Sequence, residues 1–225
     1  MAIVKKYPAS VVAISNYVNG VYTIELESLE KPFRYEPGQF LHLTVDEYDP
    51  AGQWPDSRCF SIQSNPSEKN IKITFSVKGK YTRKMEKALK KGSILWLKLP
   101  YGNMFSQPHN KENTVFIAGG TGITPFLSLF THGSFNQYKK PKIYLGFKSK
   151  LFNIFNEELT LINSSCVTIQ YEDIEGILDI NEIFIKNGTK SSYFISGPPT
   201  MIKEFRQNLI SYGVPLDSVL TDEWE

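Results

Sequence analysis

Phe116-Ile117-Ala118-Gly119-Gly120-Thr121-Gly122-Ile123-Thr124-Pro125-Phe126 runs from an apolar, strand-like segment through a glycine cluster into a helix-like one. The glycines approach the dinucleotide pattern G-x-G-x-x-G, with Pro125 standing where the third glycine belongs. Paired glycines let the backbone come close to a ligand, and a helix N-terminus turns free N–H groups toward an anion such as a pyrophosphate. Pro125 suits the first helical position and Thr124 suits the cap before it. The third glycine of the pattern serves close helix–strand packing, so its loss does not forbid phosphate binding. Taken alone, the loop is equally an ordinary strand-to-helix turn, and its surroundings have to decide.

Downstream, strand patterns at 115–118, 143–147, 167–171 and 193–196 alternate with helical ones starting at Pro125, near 157–162 and over 200–212. The last helix places Ile202, Phe205, Leu209 and Tyr212 on one face and stops at Gly213. Such alternation predicts a parallel sheet with helices on its faces, a Rossmann-like α/β domain. A second turn of the same design, Ser196-Gly197-Pro198-Pro199-Thr200-Met201, closes the strand at 193–196. Ligands of open α/β sheets bind outside the carboxyl ends of the strands, so two Gly/Pro turns there predict one crevice.

Upstream the chain reads differently. Segments 11–14, 22–26, 40–45, 59–63, 71–77 and 94–99 are short, rich in β-branched and aromatic residues, and bounded by turn residues, which predicts an antiparallel β-barrel or sandwich. One helix interrupts them, with Thr82 as its cap, Met85, Ala88 and Leu89 as its apolar stripe and Gly92 at its end. The polar stretch at 106–111 separates the two regimes, giving a β-barrel domain at 1–108 and an α/β domain at 109–225.

Composition narrows the function. With 225 residues, 41% of them hydrophobic and 21% charged, the chain has material for a real core. A net charge of +2 and the lack of a basic arm argue against a nucleic-acid partner. No apolar run approaches the ~20 residues that span a bilayer, and the start MAIVKKYPASVVAI lacks a leader pattern, so the chain is expected to be soluble and cytoplasmic. Cys59 and Cys166 are over a hundred positions apart, and His42, His109 and His132 are scattered. No metal or iron–sulfur site is expected from that spacing. The chemistry has to come from an organic cofactor, acids and hydroxyls.

Within the barrel, Arg58-Cys59-Phe60-Ser61 puts a guanidinium and an aromatic ring on one face of a strand. The first can clamp a phosphate and the second can lie on a flat heterocycle. The whole chain resembles the ferredoxin–NADP reductase-like flavoprotein reductases, including the cytochrome b5 reductase branch. The motifs that carry the resemblance occur in the family's order. Glu36-Pro37-Gly38-Gln39-Phe40 is similar to its PGQ-aromatic strand start and Arg58–Ser61 to its R-x-Y-S flavin motif. Gly79-Lys80-Tyr81-Thr82 is similar to its G-K-x-S/T segment, and Pro100-Tyr101-Gly102-Asn103-Met104-Phe105 to the end of its barrel. The opening glycine loop, Ser196-Gly197-Pro198-Pro199-Thr200-Met201 and Asp222-Glu223-Trp224 resemble its nicotinamide loop, its C-G-P-P-x-M motif and its acid-x-aromatic ending.

The resemblance implies a set of roles. Arg58 contacts the FAD pyrophosphate, Phe60 packs on the flavin with Cys59 beside it, and Ser61 hydrogen-bonds near the reactive flavin N5. Gly79, Tyr81 and Thr82 hold the pyrophosphate, while Val77 and Lys78 line the flavin edge. Gly120, Thr121 and Gly122 receive NAD(P), together with Gly197, Pro198 and Met201. Ser196 faces the site of hydride transfer, Trp224 covers the flavin and Asp222 is its acidic neighbour. Two positions depart from the family: Phe60 stands for its tyrosine and Ser196 for its cysteine. Lys148, Ser149 and Lys150 follow the second α/β strand with no acid before Glu157, which leans toward NADPH over NADH.

The implied function is an FAD-dependent NAD(P)H oxidoreductase. It would pass electrons to a separate acceptor: a ferredoxin- or flavodoxin-like protein, an oxygenase component or a small molecule. A non-catalytic flavin- or nucleotide-binding module and an electron-transfer subunit of a larger complex are the alternatives.

Overall fold

A computed structural model describes residues 3–222, which divide into two compact units. One comprises residues 1–103 with 127–132, the other 104–126 with 133–225.

The first unit is a six-stranded antiparallel sheet of β1 (Lys5–Val18), β2 (Val21–Ser28), β3 (Phe40–Thr44), β4 (Arg58–Ser61), β5 (Ile71–Ser76) and β6 (Ile94–Tyr101), in the order β4-β3-β6-β1-β2-β5. Each strand sends alternate residues inward, as a two-residue period requires. Tyr7, Ala9 and Val11 of β1 meet Ile24 and Leu26 of β2, Leu41 and Leu43 of β3, Ile71, Ile73 and Phe75 of β5, and Leu95, Leu97 and Leu99 of β6 in one core. The two outer strands nearly close the sheet. Just past β4, the Gln63 N–H donates to Lys72 O of β5 at 2.9 Å, and Thr74 Oγ1 donates to Gln63 Oε1 at 2.6 Å. A barrel closed in this way leaves little free edge.

Helix α1 (Lys80–Ala88) plugs this barrel with Tyr81 and Met85. The expected bounds shift here. Gly79, extended at φ −125°, takes the N-cap position, and Thr82 lies within the first turn. From there the Thr82 hydroxyl reaches back and accepts the Lys78 and Gly79 N–H groups at 3.0 and 3.1 Å. The helix also ends early, at Leu89, whose N–H bonds Met85 O. Gly92, at φ +86°, makes the following turn instead.

The second unit is a parallel sheet of β7 (Thr114–Gly119), β8 (Lys142–Phe147), β9 (Val167–Tyr171), β10 (Ser192–Ser196) and β11 (Val219–Thr221), in the order β11-β10-β7-β8-β9. Its central strands are buried on both faces, which is why they read as continuous apolar runs. Val115, Ile117, Tyr193 and Ile195 point to one face, against α5 (Ile180–Asn187) and α6 (Pro199–Ser211). Phe116 and Phe194 point to the other, where they stack at 5.4 Å and meet Phe105. The shorter helices α2 (Thr124–Phe130), α3 (Asn156–Thr160) and α4 (Glu172–Glu175) complete the connections.

The entry into α2 also differs from expectation. Gly120–Ile123 already forms a 3₁₀ turn, so Thr124 is itself helical (φ −55°, ψ −43°) rather than a cap, and Pro125 is the second residue of α2. Thr121 O is the carbonyl that the missing Pro125 N–H would have reached, and the Thr124 hydroxyl donates to it at 3.0 Å.

Met85 is fully buried in the barrel. Met85→Ala is expected to destabilise the protein by about 2–5 kcal/mol, read as a lower urea midpoint of the unit that carries α1.

Candidate functional site

In the first unit the sequence-selected residues gather at the N-terminus of α1. β4 pairs with β3 so that Arg58 and Phe60 lie opposite the core residues Leu43 and Leu41. The Arg58 guanidinium lies over the Tyr81 ring at 4.9 Å and donates to Asp56 Oδ1 and Ser57 O, both at 2.7 Å. The Arg58–Asp56 pair is exposed on both sides, so it orients the guanidinium more than it stabilises the fold. Tyr81 fixes the other side of this contact. Its hydroxyl donates to Leu43 O at 2.9 Å and accepts the Val45 N–H at 3.3 Å, and burial raises its pKa above the ordinary phenol value.

The Thr82 hydroxyl occupies the Lys78 and Gly79 N–H groups, and the first helical hydrogen bond, Arg83 N–H to Gly79 O, leaves the amides of Lys80, Tyr81 and Thr82 ahead of the ladder. The first turn contains no acidic residue. These are the properties of an anion site: N–H groups, the positive end of the helix and a guanidinium nearby. Phe60 and Val77 are partly exposed hydrophobics packed on the barrel core, and the Phe60 ring stands 5.9 Å from Phe75. Ser61 is buried.

Cys59 points to the opposite face of β4. Its sulfur lies 3.5 Å from His42 Nε2, burial raises the thiol pKa, and burial and then Lys98 lower that of His42. At neutral pH this is a protonated thiol against a neutral imidazole, a packing contact rather than a reactive pair.

In the second unit, the turns after β7 and β10 are pressed together backbone to backbone. A Cβ on Gly122 would stand 2.5 Å from Gly197 Cα and 2.6 Å from Gly197 N. One on Gly119 would stand 2.9 Å from Pro198 Cδ and 3.0 Å from Met201 Sδ. Gly197 has φ +149°, and a Cβ there would stand 2.8 Å from Met201 Cε and 3.0 Å from Gly119 N. Glycine is therefore required at 119, 122 and 197 for contact between turns, whereas Gly120 needs only its φ of +55°. Sequence spacing singled out Gly120 and Gly122, and nothing in it distinguishes their reasons.

The same strand ends carry the polar groups. Ser196, 2% exposed, donates from Oγ to Asp222 Oδ2 at 3.1 Å, and the Asp222 N–H donates to Ile195 O at 3.0 Å. β11, absent from the sequence expectation because it is three residues long, is what delivers Asp222 to β10. Lys148 and Lys150 are exposed at the end of β8, with Ser149 between them at the start of a 3₁₀ turn. Lys148 O accepts the Asp173 N–H at 3.2 Å, so the acidic run Glu172–Glu175 begins beside these lysines despite its distance in sequence. Trp224 lies outside the described residues.

Among the described residues no cluster of three metal-ligating side chains occurs, and no helix is long and apolar enough to cross a membrane.

Comparison with known proteins gives the family and the fold. A sequence profile described as an FAD-binding domain matches residues 6–146, well over half of the chain, which therefore belongs to that FAD-binding family. A probable dihydroorotate dehydrogenase B (NAD(+)) electron transfer subunit of Methanopyrus kandleri is 30% identical over 57% of this chain and 45% of its own length. The reductase component of propane 2-monooxygenase from Mycolicibacterium smegmatis is 22% identical over 94% of this chain and 66% of its own. The chain thus spans from about half to about two-thirds of the length of these relatives. A ferredoxin NADP+ reductase from Neisseria gonorrhoeae, solved with bound FAD and NADP, shares the fold at a TM-score of 0.75 and 17% identity, over 95% of this chain and 93% of that one.

The glycine contacts give a graded test. Gly122→Ala, facing backbone that cannot rotate away, should cost about 1–3 kcal/mol or more, whereas Gly120→Ala should cost about 1 kcal/mol, from its backbone angle alone. Thermal unfolding of the two variants reads the order; equal losses would contradict the contact.

Proposed function

We propose that this chain is an FAD-dependent NAD(P)H oxidoreductase that passes electrons to a separate acceptor. The carrying observation is the anion site at the start of α1. Arg58, stacked on Tyr81, flanks three amides that precede the hydrogen-bond ladder, in a first turn without acids. A pyrophosphate fits that donor set by charge and by hydrogen-bonding type. In this reading the region 1–108 holds FAD and the region 109–225 holds the nicotinamide nucleotide.

The residues divide the work. Arg58 and the amides of Tyr81 and Thr82 bind the FAD diphosphate, Gly79 lets the chain enter the helix, and Val77, Lys78 and Phe60 line the flavin. Ser61 is the hydrogen-bond partner for the flavin N5 edge. Bound flavin supplies the hydride acceptor and the means of releasing electrons onward. The interlocked turns at Gly119–Gly122 and Gly197–Met201 bring glycine backbone to the strand ends, where a dinucleotide can approach it. Ser196, fixed by Asp222, presents an oriented hydroxyl at the carboxyl end of β10. Positioning of this kind accounts for much of the rate of a two-ring hydride transfer.

Lys148, Ser149 and Lys150 favour a 2′-phosphate, and hence NADPH, although the backbone of Asp173 beside Lys148 brings acid closer than the sequence implied. The acceptor belongs to the class of oxygenase components, small carrier proteins or small molecules. Both cysteines are free thiols, as a reducing compartment allows, and we place the protein in the cytoplasm.

Purified protein should be yellow or take up added FAD, and should bleach anaerobically with NADPH, and more slowly with NADH. A colourless protein that ignores FAD sinks this reading, and a yellow protein that neither nucleotide bleaches leaves only a binding module. Arg58→Ala should weaken FAD retention by at least about tenfold, measured by equilibrium dialysis. Ser196→Ala should keep the flavin and slow bleaching about fivefold or more, measured by stopped flow.

A further inference from the structure

The parallel sheet leaves one edge open. Strand β9 has a hydrogen-bonded neighbour, β8, on one side only, so its other side presents peptide groups that no strand of the sheet takes up. None of its five residues is buried, whereas every other strand of this sheet has at least two buried residues. Folds usually guard such an edge with a charge, a proline, a bulge or a covering segment. Val167-Thr168-Ile169-Gln170-Tyr171 contains no charge and no proline, and its register with β8 runs without a shift. The opposite edge, β11, is guarded by being three residues long and largely buried. On β9 only the last residue is tended, its N–H donating to Glu175 Oε2 at 3.1 Å. Large apolar side chains are exposed on both flanks, Leu161 before the strand and Ile174 and Ile177 after it. Ile177 stays close because Gln170 Nε2 donates to its carbonyl at 2.9 Å.

The two ends of this edge carry opposite charge. Lys139, Lys140 and Lys142 lead into β8, and the pairing of Ile143 with Val167 puts Lys142 beside Cys166 at the start of β9. Glu172, Asp173 and Glu175 follow directly on its other end. All six are exposed, and among the described residues none of them forms an ion pair. Lys148 and Lys150 stand at the acidic end without pairing with these acids, and the Lys148 ammonium lies over the Phe152 ring at 5.9 Å. The edge is therefore a neutral strand between a basic approach and an acidic exit.

We propose that the β9 edge is the interface of a two-fold dimer of this chain, in which β9 pairs antiparallel with β9 of a second copy and the two sheets become continuous. The register that uses the whole strand sets Ile169 opposite its own counterpart, Thr168 opposite Gln170 and Val167 opposite Tyr171. It carries Ser165 and Cys166 against Asp173 and Glu172, so no like charges meet. The lysines of each copy come to the acidic end of the other, and the two-fold makes this happen at both ends. A strand of an unrelated protein would satisfy the backbone alone. A second copy also satisfies both charged ends, since the symmetry exchanges them.

The test uses the full chain in sedimentation velocity between about 1 and 100 μM, the range of a modest interface. The wild type should dimerise in this range at about 50 mM salt, and at least about threefold more weakly at about 0.5 M. Lys139→Glu/Lys140→Glu/Lys142→Glu and Glu172→Lys/Asp173→Lys should each dimerise at least about tenfold more weakly, because like charges then face each other at both ends. An equimolar mixture of the two variants should recover the dimer, each supplying the sign the other lost, which also shows that both are folded. The register is read in a Cys59→Ser/Cys166→Ser background. Ile169→Cys should give a disulfide-linked dimer on mild oxidation, its two Cα atoms falling about 4.5–5.5 Å apart. Thr168→Cys should not, because its two Cα atoms stand diagonally, beyond the roughly 7 Å that a disulfide spans. A monomeric wild type, undiminished dimers in either reversal variant, a mixture that stays monomeric, or equal cross-linking at both positions overturns the proposal.

Discussion

The second unit depends on two turns whose backbones touch at Gly122 and Gly197. Gly122 lies against the backbone of Gly197 so closely that a single methyl group would overlap it. Two strands hydrogen-bonded in register, β7 and β10, bring their carboxyl ends level, with Ala118 beside Ser196. Without glycine at the contact those ends would have to splay, and β11, paired to β10, would move with them. Asp222 reaches Ser196 only because β11 holds it there. The polar geometry of the strand ends is therefore a consequence of a steric requirement one residue beyond them.

The first unit positions the start of α1 by a different route. The barrel supplies a rigid opening, and α1 enters it through the buried Tyr81 and Met85. Tyr81 does two things at once: its hydroxyl ties the helix to the carbonyl of Leu43, and its ring supports the Arg58 guanidinium. Thr82 makes the local choice of which amides stay available, occupying those of Lys78 and Gly79 with its own oxygen. The first turn carries no acid, so the amides ahead of the ladder face no negative side chain of their own turn.

Much of this was legible in the sequence, and the exceptions have physical reasons. The barrel strands announced themselves as short β-branched and aromatic segments between turn residues, and the sheet strands as apolar segments alternating with helical ones. Cap positions were less legible. Thr82 was read as an N-cap because threonine favours that role, yet the same hydroxyl satisfies the same donors from inside the first turn. Pro125 was placed at the helix start because proline is common there. It sits one residue further in, because the 3₁₀ turn at Gly120–Ile123 starts the helical path earlier. β11 was too short for any periodicity to show.

The departure at Ser196 is best understood together with Asp222. A cysteine thiol is a weak donor that can be buried without a partner, whereas a buried serine hydroxyl must find an acceptor. Here Ser196 is almost wholly buried and its acceptor is the Asp222 carboxylate. A hydrogen bond to a charged acceptor is stronger than one between neutral groups, so the pair holds the hydroxyl in one orientation instead of leaving it to rotate. Replacing sulfur by oxygen thus exchanges a soft, polarizable surface for a directed dipole. The chain keeps an oriented group at the carboxyl end of β10 by a different interaction.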